Sequence, residues 1–304
     1  MSSTLETLQK QIVSGEDLSS IVRTMKALAA TSVRQYEKAA ESLDDYFRTV
    51  ELGLSVVLSA EAEKLTDPKI DPRRPALLCL FGSDHGLAGR FNEQIVSYAL
   101  EEYWSGEPAE STKDKALPAD TMIIAIGEQV ITRIDAAGLE PGSKLHLPTS
   151  IRAITPFIQS LLERIEEYRT NEGVEKVFLF YNRPLTGGFS SRAETMLPVS
   201  LSNLLETRLE WESRSLPTFT MSPDRLLSAL LRQYFFVSLY RATALSLAAE
   251  NTSRLTAMQA AEKNISERLN ELKTSYQHER QAAITEELLD IISGFKAVRG
   301  SLAD

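Results

Sequence analysis

Proline and glycine are distributed so unevenly along this chain that they decide what its two ends can become. The first proline is Pro68 and the last is Pro223, and no glycine occurs between Gly188 and Gly294. Helix breakers therefore crowd the middle and leave both ends open to long helices. The chain has 304 residues, room for about two ordinary domains and a sizeable core.

The N-terminal end carries a capping-box pattern in Ser3 and Glu6. From there apolar residues recur at Leu18, Val22, Met25, Ala29, Val33, Tyr36, Ala40, Leu43, Phe47, Val50, Leu54 and Val57. The steps alternate between three and four, with one extra four after Met25. Such a heptad seam predicts a helix that coils around a partner helix. Gly15 is expected to fray its start, and Gly53 to weaken it without ending it. The C-terminal end opens at "MSPDRLL", with Ser222 as N-cap and Pro223 at the first helical position. Its seam runs Leu227, Leu230, Tyr234, Val237, Ala244, Ala248, Leu255, Met258, Ala261, Ile265, Leu269, Leu272 and Tyr276. A single helix over this span would be about 110 Å long, and an ordinary globular domain has no use for one. The two end helices can pair as an antiparallel coiled coil.

Between them the period changes. "ALLCLF", "TMIIAIG" and "KVFLFYN" read as buried strands, and "EQVITRIDAAG" and "PFIQSLLERIEEYR" as helices, which predicts a small sheet with helices on its faces. The stretch "SGEPAESTKDKALPAD" is polar, rich in breakers and expected to be mobile.

The stretch that most invites a catalytic reading is "GSDHGLAGRFN", residues 82–92, directly after a strand. Its glycines, Gly82, Gly86 and Gly89, are spaced G-xxx-G-xx-G, whereas a dinucleotide loop needs G-x-G-x-x-G. A phosphate-binding P-loop needs Lys and Ser or Thr after the last glycine, where this chain has Arg90 and Phe91. A tight strand-to-helix corner is the better account. "RPLTGGFSSRAET", residues 183–195, is expected to be a surface turn or partner contact. His146 and His278 stand alone, no carboxylate cluster has ligand spacing, and neither a metal nor a cofactor is expected. Cys79, the sole cysteine, lies in an apolar run and fits a reducing compartment. A net charge of -9 disfavours a general nucleic-acid binder. The first residues lack a signal peptide's apolar core, and no stretch approaches the ~20 apolar residues of a membrane-spanning helix.

One charge pattern stands apart in this acidic chain. Residues 18–38 carry Arg23, Lys26, Arg34 and Lys38 against one acid, Glu37. They read either as a solvated helix face or as a basic collar for an acidic partner. Residues 249–284, by contrast, carry five acids and five bases, and Glu250 and Arg254 are four apart and able to pair.

Together these segments resemble the gamma subunit of F-type ATP synthases. "VRTMKALAATSVRQYEKA" resembles that family's "TxAMxMVAASKMRxA", and "SDHGLAGRFN" its "SDRGLCGGxN". "SLAAENTSRLTAMQAAEKNISERLNEL" and "RQAAITEELLDIISG" resemble its C-terminal helix almost position by position. Residues 100–180 match only in the order and type of elements. Where the family often reads "KITKAM" this chain has "SIVRTM", and "VRTMKALAA…RQYEKA…ESLDDYFRTVELGL" is most similar to gamma-like chains of the alternate, N-type ATPases, a group associated with sodium pumping.

The resemblance implies an antiparallel coiled coil of long N- and C-terminal helices, with a central Rossmann-like α/β domain at the foot. The implied limits are 1–67, 68–220 and 221–304. It implies a non-catalytic central-stalk rotor, coupling ion flow to ATP synthesis or hydrolysis. The expected partners are the alpha and beta subunits of the catalytic hexamer, an epsilon-type stalk subunit and the membrane ring of c subunits. The expected place is the cytoplasmic face of the bacterial inner membrane, peripherally bound. Residue by residue, it assigns Met25 and Lys26, with Arg23 beside them, to the segment facing acidic loops of the beta subunits. It assigns Arg254, Gln281 and Thr285 to positions on the C-terminal helix that contact or couple to those subunits. The alternative is a coiled-coil adaptor or scaffold with no ATPase partner, since the same heptads would serve it.

Overall fold

The computed structural model describes residues 2–60, 74–105, 121–199 and 218–301. The Ser3 side chain and residues 106–120, most of the stretch expected to be mobile, lie outside what is described. The elements are α1 (Ser2–Glu41), α2 (Asp44–Ala60), β1 (Ala76–Phe81), α3 (Phe91–Ser105), β2 (Thr121–Ile126), α4 (Glu128–Ala136), β3 (Ser143–Leu145), α5 (Ile151–Asn171), β4 (Lys176–Leu185), β5 (Gly188–Leu197) and α6 (Pro223–Ser301). Contacts divide the chain into two compact units: residues 1–28 with 256–304, and residues 29–255.

The C-terminal end is one helix of 79 residues, and the Ser222 carbonyl accepts the Leu226 N–H at its start, as an N-cap residue's should. The N-terminal end comes in two pieces instead of one. The Ser42 hydroxyl donates to the Ala39 carbonyl, and the Leu43 N–H turns to the Ala40 carbonyl. A serine that competes for a backbone acceptor in this way interrupts the helical ladder. Asp44 and Asp45 then start α2, where their charge suits a helix N-terminus.

In the first unit α1 and α6 run antiparallel. Gly15 lies against Leu269, and Lys26 meets Glu262. A Cβ on Gly15 would stand 2.7 Å from Leu269 Cδ2, so this glycine lets the helices close rather than fraying an end. The seam passes only Leu18 by, whose side chain is 49% exposed; the expected Val22 is buried, and so is Ile12 before it. On α6 the expected positions hold, with Met258 and Leu272 buried.

The second unit holds a five-stranded sheet of order β3-β2-β1-β4-β5, parallel except for the β4–β5 pair. β1 is buried on both faces, as an all-apolar parallel strand requires. Leu77, Cys79 and Phe81 face a core shared with Ile154, Ile158 and Leu161 of α5 and Leu239 and Ala244 of α6. Leu78 and Leu80 face the other core, with Ile95 of α3 and Val130 and Ile134 of α4. α2 also packs on α6 here, where Gly53 makes room for Leu230 and Tyr46 donates to Gln233. Residues 183–195, expected as a turn, are mostly strand: β4 and β5 form a hairpin closed by Thr186 and Gly187, with Gly187 at φ 82. α5 begins five residues before Pro156, the first residue of the expected helix.

Candidate partner-binding surfaces

Strand order reverses at β1, since β2 and β4 flank it, and in open α/β sheets ligands bind in the crevice at that switch point. Here the glycine loop after β1 occupies the place, and the side chains of Ser83, Asp84 and Asn92 are spent on the protein itself. Asp84 spans two neighbours: Oδ1 accepts the Glu128 N–H at 3.1 Å, and Oδ2 accepts the Leu147 N–H at 2.9 Å. It thereby supplies the acceptor that α4 lacks at its own N-cap, Gly127. Ser83 N–H donates to Asn92 Oδ1, and Asn92 Nδ2 returns a bond to Ser83 Oγ. Gly82 has no room for a side chain, because a Cβ would overlap Val130. The sequence reading of this loop as a corner agrees with the geometry.

The crevice itself is filled by α6. Ser253 Oγ donates to the Ala88 carbonyl at 2.6 Å, and Arg254 Nη2 reaches the His85 carbonyl at 3.4 Å. Ala249 packs with Ala88 and Phe91. Arg254 is only 13% exposed and pairs with Glu250, 6% exposed, at 2.5 Å. Burial pushes the Glu250 carboxyl up from its ordinary value, and the Arg254 guanidinium opposes that shift. Arg254 is thus engaged inside the second unit, a setting that spacing alone did not reveal beyond the pair with Glu250.

The other residues assigned from the resemblance lie in the first unit. Met25 and Lys26 are half-buried, and Arg23 is largely exposed. Lys26 Nζ pairs with Glu262 Oε2, and Arg23 Nε lies 3.4 Å from Glu262 Oε1. The hydrogen bond from Lys26, reinforced by Arg23, holds the Glu262 carboxyl below its ordinary value. Gln281 and Thr285 are exposed one turn apart, and the Thr285 hydroxyl donates to the Gln281 carbonyl. Between and beyond them, Ile284, Leu288, Ile291 and Ile292 form an exposed apolar stripe. The sequence reading missed Glu262, Ser253 and Asn92. Glu262 was visible only as one acid among five balanced charges, and nothing local marks its partners 236 and 239 residues away.

The family model described as ATP synthase matches residues 4–298. The chain belongs to the ATP synthase family. Curated relatives in this family are ATP synthase gamma chains. That of Lactococcus lactis subsp. cremoris (strain MG1363) is 26% identical over 309 residues, spanning 98% of this chain and 100% of the relative. That of Streptococcus suis (strain 05ZYH33) is 28% identical over 306 residues, again 98% and 100%. In fold the chain resembles a chain of the Euglena gracilis mitochondrial ATP synthase OSCP/F1/c-ring assembly, with a TM-score of 0.65 at 17% identity, covering 99% of this chain and 96% of that one. It also resembles a chain of the Tetrahymena thermophila mitochondrial ATP synthase central stalk and c-ring, with a TM-score of 0.54 at 18% identity, covering 79% and 99%. Among the described residues of this ATP synthase family member, no helix is long and apolar enough to cross a membrane.

Proposed function

We propose that the chain is the central-stalk rotor subunit of a rotary ATP synthase, turning with a membrane ring of c subunits inside a hexamer of alpha and beta subunits. It performs no chemistry of its own. The observation that carries this is the 79-residue helix α6 paired antiparallel to α1, in a chain whose gamma-chain relatives match it end to end. The α/β part would be the foot, within limits near residues 68–220, and would carry an epsilon-type subunit. The filled switch-point crevice favours a docking role for that part over a nucleotide site. The exposed apolar stripe from Ile284 to Ile292 fits an enclosing partner, since patches of this kind mark interaction surfaces. Met25, Lys26, Arg23, Arg254, Gln281 and Thr285 would meet or couple to the beta subunits. The complex would work at the cytoplasmic face of a bacterial inner membrane, with this chain peripheral.

The test is reconstitution of the purified chain with alpha and beta subunits, reading complex mass and ATP turnover. One copy per hexamer and a large gain in turnover are expected. Failure of properly folded partners to assemble around the chain would leave the coiled-coil adaptor as the better reading.

A further inference from the structure

Two cations of α1 share one carboxylate of α6. Arg23 and Lys26 lie three residues apart on one helical face, and Glu262 reaches both, one oxygen to each. All three groups keep contact with water: the side chains of Arg23, Lys26 and Glu262 are 72%, 32% and 26% exposed. Pairs that keep this much contact with water contribute little to folding. The seam beside them, with Met258 and Leu272 buried and Leu269 against Gly15, is the larger holding force in this unit. A second cross-helix pair, Lys273 to Glu16 at 2.7 Å, already fixes the same antiparallel register. Glu262 is therefore a weak and redundant stabiliser. Its clearer effect is electrostatic, because it masks the leading end of the basic run within an acidic protein.

The contact lies on a groove of about 570 Å³ between the two helices, lined by Glu16, Arg23, Glu262, Lys263 and Lys273 among others. Two acids against three cations leave that lining net positive, and with Lys26 the excess grows. The occupant it suits is an extended acidic segment of a protein partner, whose carboxylates can take over Arg23 and Lys26 while Glu262 returns to water.

We infer that Glu262 is a built-in competitor for those cations, a positioning residue that weakens and makes exchangeable the grip of Arg23 and Lys26 on an acidic partner segment. This rests on the central-stalk reading above. In a subunit that must release each contact as it turns, a resident counter-anion keeps one acidic contact from becoming a permanent stop.

The experiment uses the full chain with the alpha–beta hexamer. Dissociation constants are measured at low and high salt for the wild type, Glu262→Gln, Glu262→Asp, Arg23→Gln/Lys26→Gln and the triple variant. Melting of each free chain serves as a folding control. Removing one exposed competing pair should tighten Glu262→Gln binding about two- to fivefold at low salt, with the gain fading at high salt. Glu262→Asp should stay near wild type, and the gain should vanish when Arg23 and Lys26 are already neutral. An unchanged or weaker Glu262→Gln complex overturns the inference, as does a gain that survives loss of both cations. If the wild-type chain itself does not assemble, it is the central-stalk reading that falls, and this inference with it.

Discussion

Ser253 donates its hydroxyl to the carbonyl of Ala88 at 2.6 Å, so a residue deep in the C-terminal helix closes the glycine loop 165 positions earlier. The bond is buried at both ends, with Ser253 8% and Ala88 3% exposed. It converts the switch point of the sheet from a ligand crevice into a helix seat. Together with the Asp84 bonds to Glu128 and Leu147, it ties the loop to α4, to the segment before α5 and to α6.

Ser253→Ala should therefore loosen the seat without opening an active site. An orphaned buried carbonyl costs about 1–3 kcal/mol. Chemical denaturation should show a loss of that order, and amide exchange should quicken in residues 84–90. Unchanged exchange there would mean that the Ala88–Phe91–Ala249 contacts hold the loop by themselves.

Two glycines should separate conformational need from mere room. Gly127 has φ 108, and a Cβ there would stand 2.8 Å from backbone atoms of Ser83. Gly127→Ala should cost at least about 1–3 kcal/mol, from the strained backbone alone. Gly15 is helical, and its near neighbour is the flexible end of Leu269. Gly15→Ala gains roughly 0.8–1.0 kcal/mol of helix propensity against that crowding and should come out near neutral. Melting curves of the two variants decide it. Equal losses would show that the helices in the first unit cannot yield at Gly15.

The long helices were legible because their signal is cumulative: heptad spacing and the lack of breakers act over dozens of residues, and the α6 seam from Met258 to Tyr276 holds. The break at Ser42 was not, since one hydroxyl choosing Ala39 over water leaves no periodic trace. The central strands stood out as apolar runs because they are buried on both faces. β5 escaped because "GFSSRAETML" is an edge strand with mostly half-exposed polar residues, which read as a loop. Leu18 misled on its own: it keeps the spacing of a seam whose next members, Val22, Ala29 and Tyr36, are buried, yet it stays 49% exposed, which spacing alone does not show. The cross-helix partners Glu262, Glu16 and Lys273 depend on antiparallel register, which only the packed helices set.

Cys79 should be inert while the sheet is intact. It is fully buried in the central strand, and burial pushes its thiol up to about 12. The thiolate is the reactive form, so thiol reagents at pH 8 should modify it only as the protein unfolds. Prompt labelling of the native chain would mean that β1 opens locally far more often than its packing implies.

Glu262 and Glu250 should contribute to stability in acid in opposite directions. Glu262 has its folded pKa lowered beneath the ordinary 4.5 by Lys26 and Arg23, so its contribution is present above that value and is lost as pH falls through the folded value. Glu250 has its folded pKa raised above 4.5 by burial, so its contribution is full below 4.5 and is lost as pH rises through the folded value. The stability of the wild type and of Glu262→Gln and Glu250→Gln, followed by calorimetry from pH 3 to pH 8, gives each trend as a difference from wild type. The advantage of wild type over Glu262→Gln should shrink below about pH 4.5, a small effect for so exposed a pair. Relative to wild type, Glu250→Gln should gain as pH rises above about 4.5, because glutamine never has to bring a charge into that site. The absolute level of Glu250→Gln depends on how Arg254 re-pairs with Asn251 and the His85 carbonyl, but the direction of its slope does not. A Glu250→Gln difference that falls as pH rises would show that Arg254 stabilises the charged carboxylate by more than burial penalises it. The buried pair would then be a net anchor for α6 at neutral pH.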